Sequence, residues 1–312
     1  EAKEMPRFAV SPGHTVFGEY VGAHWCGPCM GSASPSLVNL KNSNTDDFTY
    51  ISFFEGASSG WPSDGPVNRR NHVSASASGI PVFSFADKQS GTCYKVGAGG
   101  TNYYDSDYSN GGCMDSDTSN YVMQLESQYD QATGEVTVTV NSMYTGSLSS
   151  VSVFLYGAVT EKVSPDSYDN GVKPHHSFRE WMLASHNNGF EQLTLTPNVP
   201  VERTWQVPLS SVRAGGGYSQ QENFWPVFAL MDGPHTTYNS FLSAVDLGMI
   251  PLVDIGVDSI SISNRNGNTG FVPGDTLDIS VQITNQGIES YSDGGQISVY
   301  ELIGLDENYI GG

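Results

Sequence analysis

Apolar positions along the first 130 residues switch between two periods, two for a half-buried strand and 3.6 for a helix. Thr15-Val-Phe-Gly-Glu-Tyr-Val21 is a nearly continuous apolar run and predicts a buried strand. From Pro28 to Leu40, Met30, Ala33, Leu37 and Leu40 recur at helical spacing. Asp46-Phe-Thr-Tyr-Ile-Ser-Phe-Phe54 predicts a second strand, and Val82-Phe-Ser-Phe85, entered through Ile80-Pro81, a third. Tyr121, Leu125 and Tyr129 fall on one face of a helix expected over 118–130. The pattern then changes. Gly134-Glu-Val-Thr-Val-Thr-Val140 alternates strictly, and Val151–Tyr156, Glu191–Thr196, Thr204–Leu209 and Trp225–Leu230 follow as further strands. Short strands separated by turn signals predict a β-sandwich. Pro251-Leu-Val-Asp-Ile255 reads as a linker, followed by strands at Asp254–Ile262, Gly274–Thr284 and Gly295–Glu301. The expected organisation is an α/β domain over 1–131, a β-sandwich over 132–250 and a partial β domain over 251–312.

Composition narrows the function classes. The 312-residue chain has 13 Lys and Arg against 33 Asp and Glu, a formal net charge of −20. No basic surface is available for phosphates, so nucleic-acid binding is excluded as an expectation. No run of about 20 apolar residues occurs, so no membrane-spanning helix is expected. The abundance of Gly and Tyr and the scarcity of Lys and Arg suit a turn-rich, acidic, extracytoplasmic protein. The chain starts at Glu1 and reads as a mature or trimmed secreted chain, free in the periplasm or held at the cell surface.

The chemistry is concentrated in His24-Trp25-Cys26-Gly27-Pro28-Cys29. Two cysteines with two residues between them at the start of a helix make a dithiol. The helix dipole and free backbone N–H groups stabilise a thiolate on the first cysteine. The second is near enough to resolve a mixed disulfide. Pro28 suits the first turn, where its missing N–H costs nothing. A zinc site would need two further ligands at suitable spacing, and Cys93 and Cys113 do not form a second pair of that kind. Those two lie in a polar Gly/Asp/Ser/Asn segment and are expected to bond to each other, two free thiols being the alternative. Such a bond persists only outside a reducing cytosol.

Residues 8–130 resemble a thioredoxin-fold domain. Trp25-Cys26-Gly27-Pro28-Cys29 matches the thioredoxin active site letter for letter, and Ile80-Pro81 sits where that family carries a cis-proline. The resemblance implies that Cys26 is the nucleophile, that Cys29 resolves, and that Trp25, Gly27, Pro28, Ile80 and Pro81 shape a substrate groove. It also implies that Glu19 is the buried acid that assists proton transfer. Its spacing to Cys26 is one residue longer than in the family, and an ordinary strand carboxylate is the other reading. Over 130–248, Val151–Val159, His175-His176-Ser-Phe-Arg179, Gly189-Phe-Glu191 and Leu230-Met231-Asp232 resemble the β-sandwich of outer-membrane-protein-28-related proteins. Val272-Pro-Gly-Asp-Thr-Leu-Asp-Ile-Ser-Val-Gln-Ile-Thr-Asn-Gln-Gly287 resembles the immunoglobulin-like cell-adhesion-related bacterial (CARDB) domain. About 60 residues are short of the roughly 100 that such a sandwich takes. Further chain or a partner strand, including one from another copy of this chain, is therefore expected to complete it.

Other constellations carry less. Asp105, Asp107 and Asp115 have oxygen-ligand spacing like the start of a calcium loop, but Asn110 and Ser116 stand where an EF-hand needs Gly and Glu. A looser calcium site and an acidic loop pinned by a disulfide both remain open. No other cofactor is expected. His175, His176 and His186 lack a partner at ligand spacing, and hydrogen bonding in a loop is the preferred reading for His176 and Arg179. His24 either lowers the Cys26 pKa by its charge or simply faces solvent. Trp61, Trp181, Trp205 and Trp225 read as core or domain-contact residues. Gly97-Ala-Gly-Gly100 lacks the pattern and the Lys of a phosphate loop. Two functions follow: a secreted or cell-surface thiol–disulfide oxidoreductase acting on protein thiols and disulfides, or an adhesive or filament subunit that uses the fold as a scaffold.

Overall fold

The computed structural model describes residues 9–10, 15–45, 47–55, 67–109, 111–113, 120–130, 132–183, 189–214, 217–218, 223–234, 241–247, 250–251, 255–265, 277–285, 299–303 and 306–311. Trp61, Asp115 and His186 lie outside these residues. The chain divides into two compact units, residues 1–250 and 251–312. It is mostly β, with short helices and a mixed sheet, and no described helix is long and apolar enough to cross a membrane.

The first unit opens with β1 (Ala9–Val10), β2 (Val16–Ala23), helix α1 (Ser34–Ser43), β3 (Phe48–Glu55), α2 (Val67–Val73), β4 (Val82–Phe85), β5 (Tyr94–Val96) and α3 (Asp105–Ser109). It continues with β6 (Tyr121–Asp130), β7 (Glu135–Tyr144), β8 (Val151–Val163), β9 (His175–Trp181), β10 (Phe190–Leu195), β11 (Val201–Pro208) and the two-residue strands β12 (Arg213–Ala214) and β13 (Gly217–Tyr218). It closes with β14 (Phe224–Met231), β15 (Phe241–Asp246) and β16 (Ile250–Pro251), which begins at the unit's last residue.

One sheet runs in the order β15-β14-β8-β9-β3-β2-β4-β5, with β10 added to β8. Strands β2 and β3 are parallel, with Val16 opposite Phe48 and Ala23 opposite Glu55, and β4 runs antiparallel to β2. β2 is buried at all eight positions and β3 at seven of eight, which explains their continuous apolar sequence. The second sheet, in the order β1-β6-β7-β11, is antiparallel at each of these pairings and alternates buried with half-buried residues along β7.

Three expectations need correction. Residues 121–130 are strand β6, not a helix, paired throughout with β7. Tyr121, Leu125 and Tyr129 fit either period, but Met123 and Ser127 extend the inward face at every second residue while Gln124, Glu126 and Gln128 alternate with them. The expected boundary near 131 does not separate compact units. Ser52 of β3 pairs with Ser177 of β9, its hydroxyl donates to the His175 carbonyl at 2.9 Å, and Phe53 packs on Phe178 and Trp181. One core therefore joins residues of 16–104 to residues of 156–244, and a second fills the space between the sheets. Finally, His175–Trp181 is a strand rather than a loop, with Arg179 buried and donating to Glu161 at 2.7 Å and to Ser164 at 2.9 Å.

Residues 251–312 carry β17 (Ile255–Asn264), β18 (Leu277–Asn285), β19 (Val299–Ile303) and β20 (Asp306–Gly311). Their described residues form two antiparallel ribbons, β17 with β18 and β19 with β20. The strand over 306–311 is one more than the apolar pattern predicts. Ile262 and Ile279 are direct cross-strand partners and both are exposed, at 51% and 40%.

Cys93 and Cys113 are bonded, with Cα atoms 6.0 Å apart. The bond ties the start of β5 to the turn after α3. Replacing both cysteines with Ser is expected to lower unfolding stability by about 3 kcal/mol through the freed loop, read as a lower urea midpoint. An unchanged midpoint would show that the loop is held by packing alone.

Candidate functional site: a dithiol at a strand-to-helix turn

The dithiol stands where buried strand β2 ends and the first helix begins. The chain turns at His24 and Trp25, and the Cys26 N–H donates to the Ala23 carbonyl at 3.1 Å. Helical backbone starts at Gly27 and Pro28, passes through a wide π-helical turn at Cys29–Ala33, and continues as α1. Pro35 accounts for the wide turn. It supplies no N–H, and its ring would clash with a carbonyl one α-turn back. The Ser34 N–H instead reaches five residues back to the Cys29 carbonyl.

Cys26 and Cys29 are joined, with Cα atoms 5.2 Å apart. Their exposures are 3% and 0%, whereas Trp25 beside them is 57% exposed and Gly27, Pro28 and Gly31 are open to solvent. The Cys29 N–H donates to Cys26 Sγ at 3.2 Å, and the Met30 N–H donates to the Cys26 carbonyl at 3.1 Å. When the disulfide opens, that Cys29 N–H and the helix N-terminus favour negative charge on Cys26 Sγ.

The Ile80–Pro81 peptide is cis. β4 starts at Val82 opposite Val21, so Ile80-Pro81 lies at the end of the sheet where β2 delivers the dithiol. Ile80 and Met30 pack against the same core cluster that contains both cysteines. The Pro81 carbonyl accepts from Gly97 N–H at 2.8 Å, fixing the turn. Trp25, Gly27, Pro28, Ile80 and Pro81 are thus brought to one end of the sheet.

Glu19 is not part of this site. Successive strand residues face opposite sides of a sheet. Tyr20 packs against Phe54 and Tyr168, and Tyr168 hydrogen-bonds Ser34 at the start of α1. Glu19 therefore faces the other way, toward α2. It is fully buried and accepts from Arg69 Nε at 2.8 Å and from the Tyr156 hydroxyl at 2.9 Å. Arg69 also pairs with Asp87 at 2.9 Å, and His72 Nε2 lies 2.9 Å from the same Asp87 oxygen. Burial alone would lower the Arg69 pKa, but Glu19 and then Asp87 outweigh it and hold the guanidinium charged, above its ordinary range. The role expected for Glu19 falls because a strand position one residue off changes the face it serves.

Behind the dithiol the polar groups are tyrosines. Tyr20 is fully buried, and desolvation followed by the neighbouring Tyr168 raises its pKa well above the usual value. Burial likewise pushes Tyr168 up to about 12. Both remain neutral near pH 7. Sequence reasoning missed Tyr168 because it comes from the β8–β9 loop, 148 residues from Tyr20. One aromatic in a loop rich in Ser, Asp, Asn and Gly is its signal in the sequence.

The remaining candidates separate. Asp105 and Asp107 sit two apart in α3, on different faces of the helix, and Asp107 pairs with Lys95 at 3.1 Å. Among the described residues no cluster of three His, Cys, Asp or Glu is placed to hold a metal. His176 adopts left-handed backbone and is buried between Tyr50 and Trp225. Burial, followed by Lys41, His175 and Lys162, depresses its pKa well below the usual value, so it is neutral near pH 7. It borders a cleft of about 330 Å³ whose Asp246 accepts from Lys41, Thr49 and Trp225. Trp181 is a core residue, and Trp205 and Trp225 are half-buried.

No family model and no curated protein matches the chain. Among solved structures it is similar to HBP35 of Porphyromonas gingivalis, at 13% identity and a TM-score of 0.59. The similarity covers 87% of this chain and 97% of that one, so it extends over both sheets rather than the dithiol region alone.

Proposed function

We propose that this chain is a thiol–disulfide oxidoreductase whose redox centre is Cys26–Cys29, carried by a thioredoxin-like arrangement over residues 15–113. The observation that carries the reading is the Cys26–Cys29 disulfide at the mouth of a helix, with the Cys29 N–H directed at Cys26 Sγ. The parallel β2–β3 pair, the antiparallel β4 and β5, the helix after the dithiol and the cis Ile80–Pro81 bond support the thioredoxin resemblance. From the disulfide state, a partner thiolate attacks Cys26 Sγ and Cys29 leaves as the thiolate. The partner's second thiolate then attacks the mixed disulfide and releases Cys26. Two electrons pass to the protein, the partner gains one disulfide, and its two thiol protons pass to the Cys26 and Cys29 sulfurs. The reverse sequence reduces a partner disulfide. Two disulfides, one remote from the exchange site, support an extracytoplasmic setting.

A second reading rests on a different observation. The exposed Ile262–Ile279 pair gives residues 251–312 an apolar ribbon face, which suits an adhesive or filament subunit with a CARDB-like unit that associates with another copy of the chain. The resemblance of 130–248 to outer-membrane-protein-28-related proteins fits either reading.

Mixing the dithiothreitol-reduced, desalted protein with hydroxyethyl disulfide tests the first reading. Release of two equivalents of mercaptoethanol with loss of both Cys26 and Cys29 thiols is expected. No reaction, with Cys26 and Cys29 both reduced, would leave the scaffold reading.

A further inference from the structure

The wall of the dithiol site opposite Ile80-Pro81 comes from the β-rich half of the unit. The β8–β9 loop, residues 164–174, closes on itself through the Ser164 N–H to Pro174 carbonyl bond at 2.9 Å and the Tyr168 N–H to Val172 carbonyl bond at 2.9 Å. Its tip is tied to the dithiol turn at two points. The Asp169 N–H donates to the His24 carbonyl at 3.1 Å, two residues before Cys26. The buried Tyr168 side chain reaches Tyr20 at 3.5 Å, hydrogen-bonds Ser34 and packs edge-on against Phe54. Val172 adds a partly buried contact to the same core. A loop anchored on both sides of its tip is a fixed surface rather than a passing neighbour.

The charge carried by this wall is specific. Residues 24–33 and 79–82 contain no Lys, Arg, Asp or Glu, so the dithiol turn and the Pro81 turn supply no permanent charge. Asp169 is exposed at the loop tip with its backbone bonded to His24. The other charged loop residues lie toward the base, where Asp166 is 3.5 Å from Arg179 and close enough to Lys173 to be influenced by its charge. Among the described residues, Asp169 thus sets a negative charge beside the dithiol turn, on a chain whose net charge is already −20.

We propose that the 164–174 loop is the second wall of the exchange site and that Asp169 selects cationic disulfide-bearing partners, a basic polypeptide segment being the class that fits. This inference rests on the oxidoreductase reading. In the reduced enzyme the Cys26 thiolate attacks one sulfur of the partner disulfide and displaces the other as a thiolate. Cys29 then attacks Cys26 Sγ and releases the first partner sulfur. Two electrons leave the dithiol, and the two protons of the dithiol pass to the partner thiolates. Asp169 changes only the approach of the charged disulfide.

The test uses the dithiothreitol-reduced, desalted full chain at low ionic strength with three small disulfides: cystamine (cationic), hydroxyethyl disulfide (neutral) and dithiodiglycolate (anionic). Second-order rates are expected to fall in that order. Asp169→Asn should lower the cystamine-to-hydroxyethyl-disulfide rate ratio roughly threefold, the effect of losing an attraction of about RT between unit charges in water. It should leave the neutral rate unchanged, and 0.5 M salt should remove most of the difference. Glu202→Gln, an equal loss of charge on an edge strand of the other sheet, should leave the ratio at the wild-type value. If hydroxyethyl disulfide does not react, the oxidoreductase reading fails. If it reacts normally but Asp169→Asn leaves the ratio unchanged, or Glu202→Gln lowers it equally, the selectivity assigned to Asp169 is wrong.

Discussion

Cys26→Ser is expected to abolish disulfide exchange, and Cys29→Ser is expected to trap it half-way. The first variant has lost the sulfur that the helix mouth activates. Cys29 cannot replace it, because it is fully buried one turn inside while Cys26 lies beside exposed Trp25 and Gly27. The second variant keeps the nucleophile but has nothing to displace the captured sulfur, so a stable mixed disulfide on Cys26 should accumulate. Mass spectrometry after mixing with hydroxyethyl disulfide reads both outcomes. Cys26→Ser should carry no adduct at early times, and Cys29→Ser should carry one equivalent. Equal adduct formation by the two variants would contradict the assigned roles. Both changes are small, and Cys93–Cys113 remains intact, so each variant is expected to fold.

Arg69→Met is expected to destabilise the fold strongly without touching the dithiol. Arg69, Glu19 and Asp87 have fully buried side chains, and the cation is shared by both acids. Removing it strands two carboxylates in a desolvated core, which costs about 3–5 kcal/mol when one partner of a buried pair is lost. For a unit of this size that corresponds to a fall in melting temperature of about 6–20 °C. Adding Glu19→Gln and Asp87→Asn to Arg69→Met should recover part of the loss, because neutral amides tolerate burial better than unpaired charges. Glu19→Gln alone should leave the exchange rate and its pH profile unchanged at temperatures where the protein is folded. A changed pH profile would restore a proton-transfer role for Glu19 that its position on the opposite face of β2 argues against.

The strands and the dithiol are legible for the same reason, since both are written in local order. β2, β3 and β4 declare themselves by apolar runs, and the Trp25–Cys29 spacing is chemically meaningful without any tertiary contact. What the sequence hides is tertiary. Residues 121–130 satisfy both helical and strand spacing at Tyr121, Leu125 and Tyr129, and the alternation at Met123 and Ser127 becomes decisive only with the pairing to β7. The alternation changes near 131 and suggests a boundary, yet β9 joins β3 at Ser52 and Ser177 and a single core spans both stretches. Distance in sequence from Cys26 points to Glu19, whereas strand parity decides which face a side chain serves. Tyr168 and Asp169 reach the site only through the fold. His176 and Arg179 read as a loop, whereas they lie in a strand whose second residue, His176, is left-handed and which pairs with β8 across a register shift.

The measurement that bears most directly on the central claim is the pH dependence of alkylation of the reduced protein by iodoacetamide, followed at each cysteine by mass spectrometry, with Cys93–Cys113 left oxidised. Cys26 should be labelled first and fastest, with an apparent pKa below the roughly 8.5 of an ordinary thiol, while Cys29 stays protected until the protein unfolds. Equal labelling of Cys26 and Cys29, or no labelling of Cys26 at pH 7, would contradict the assignment of Cys26 as the nucleophile of an exchange centre.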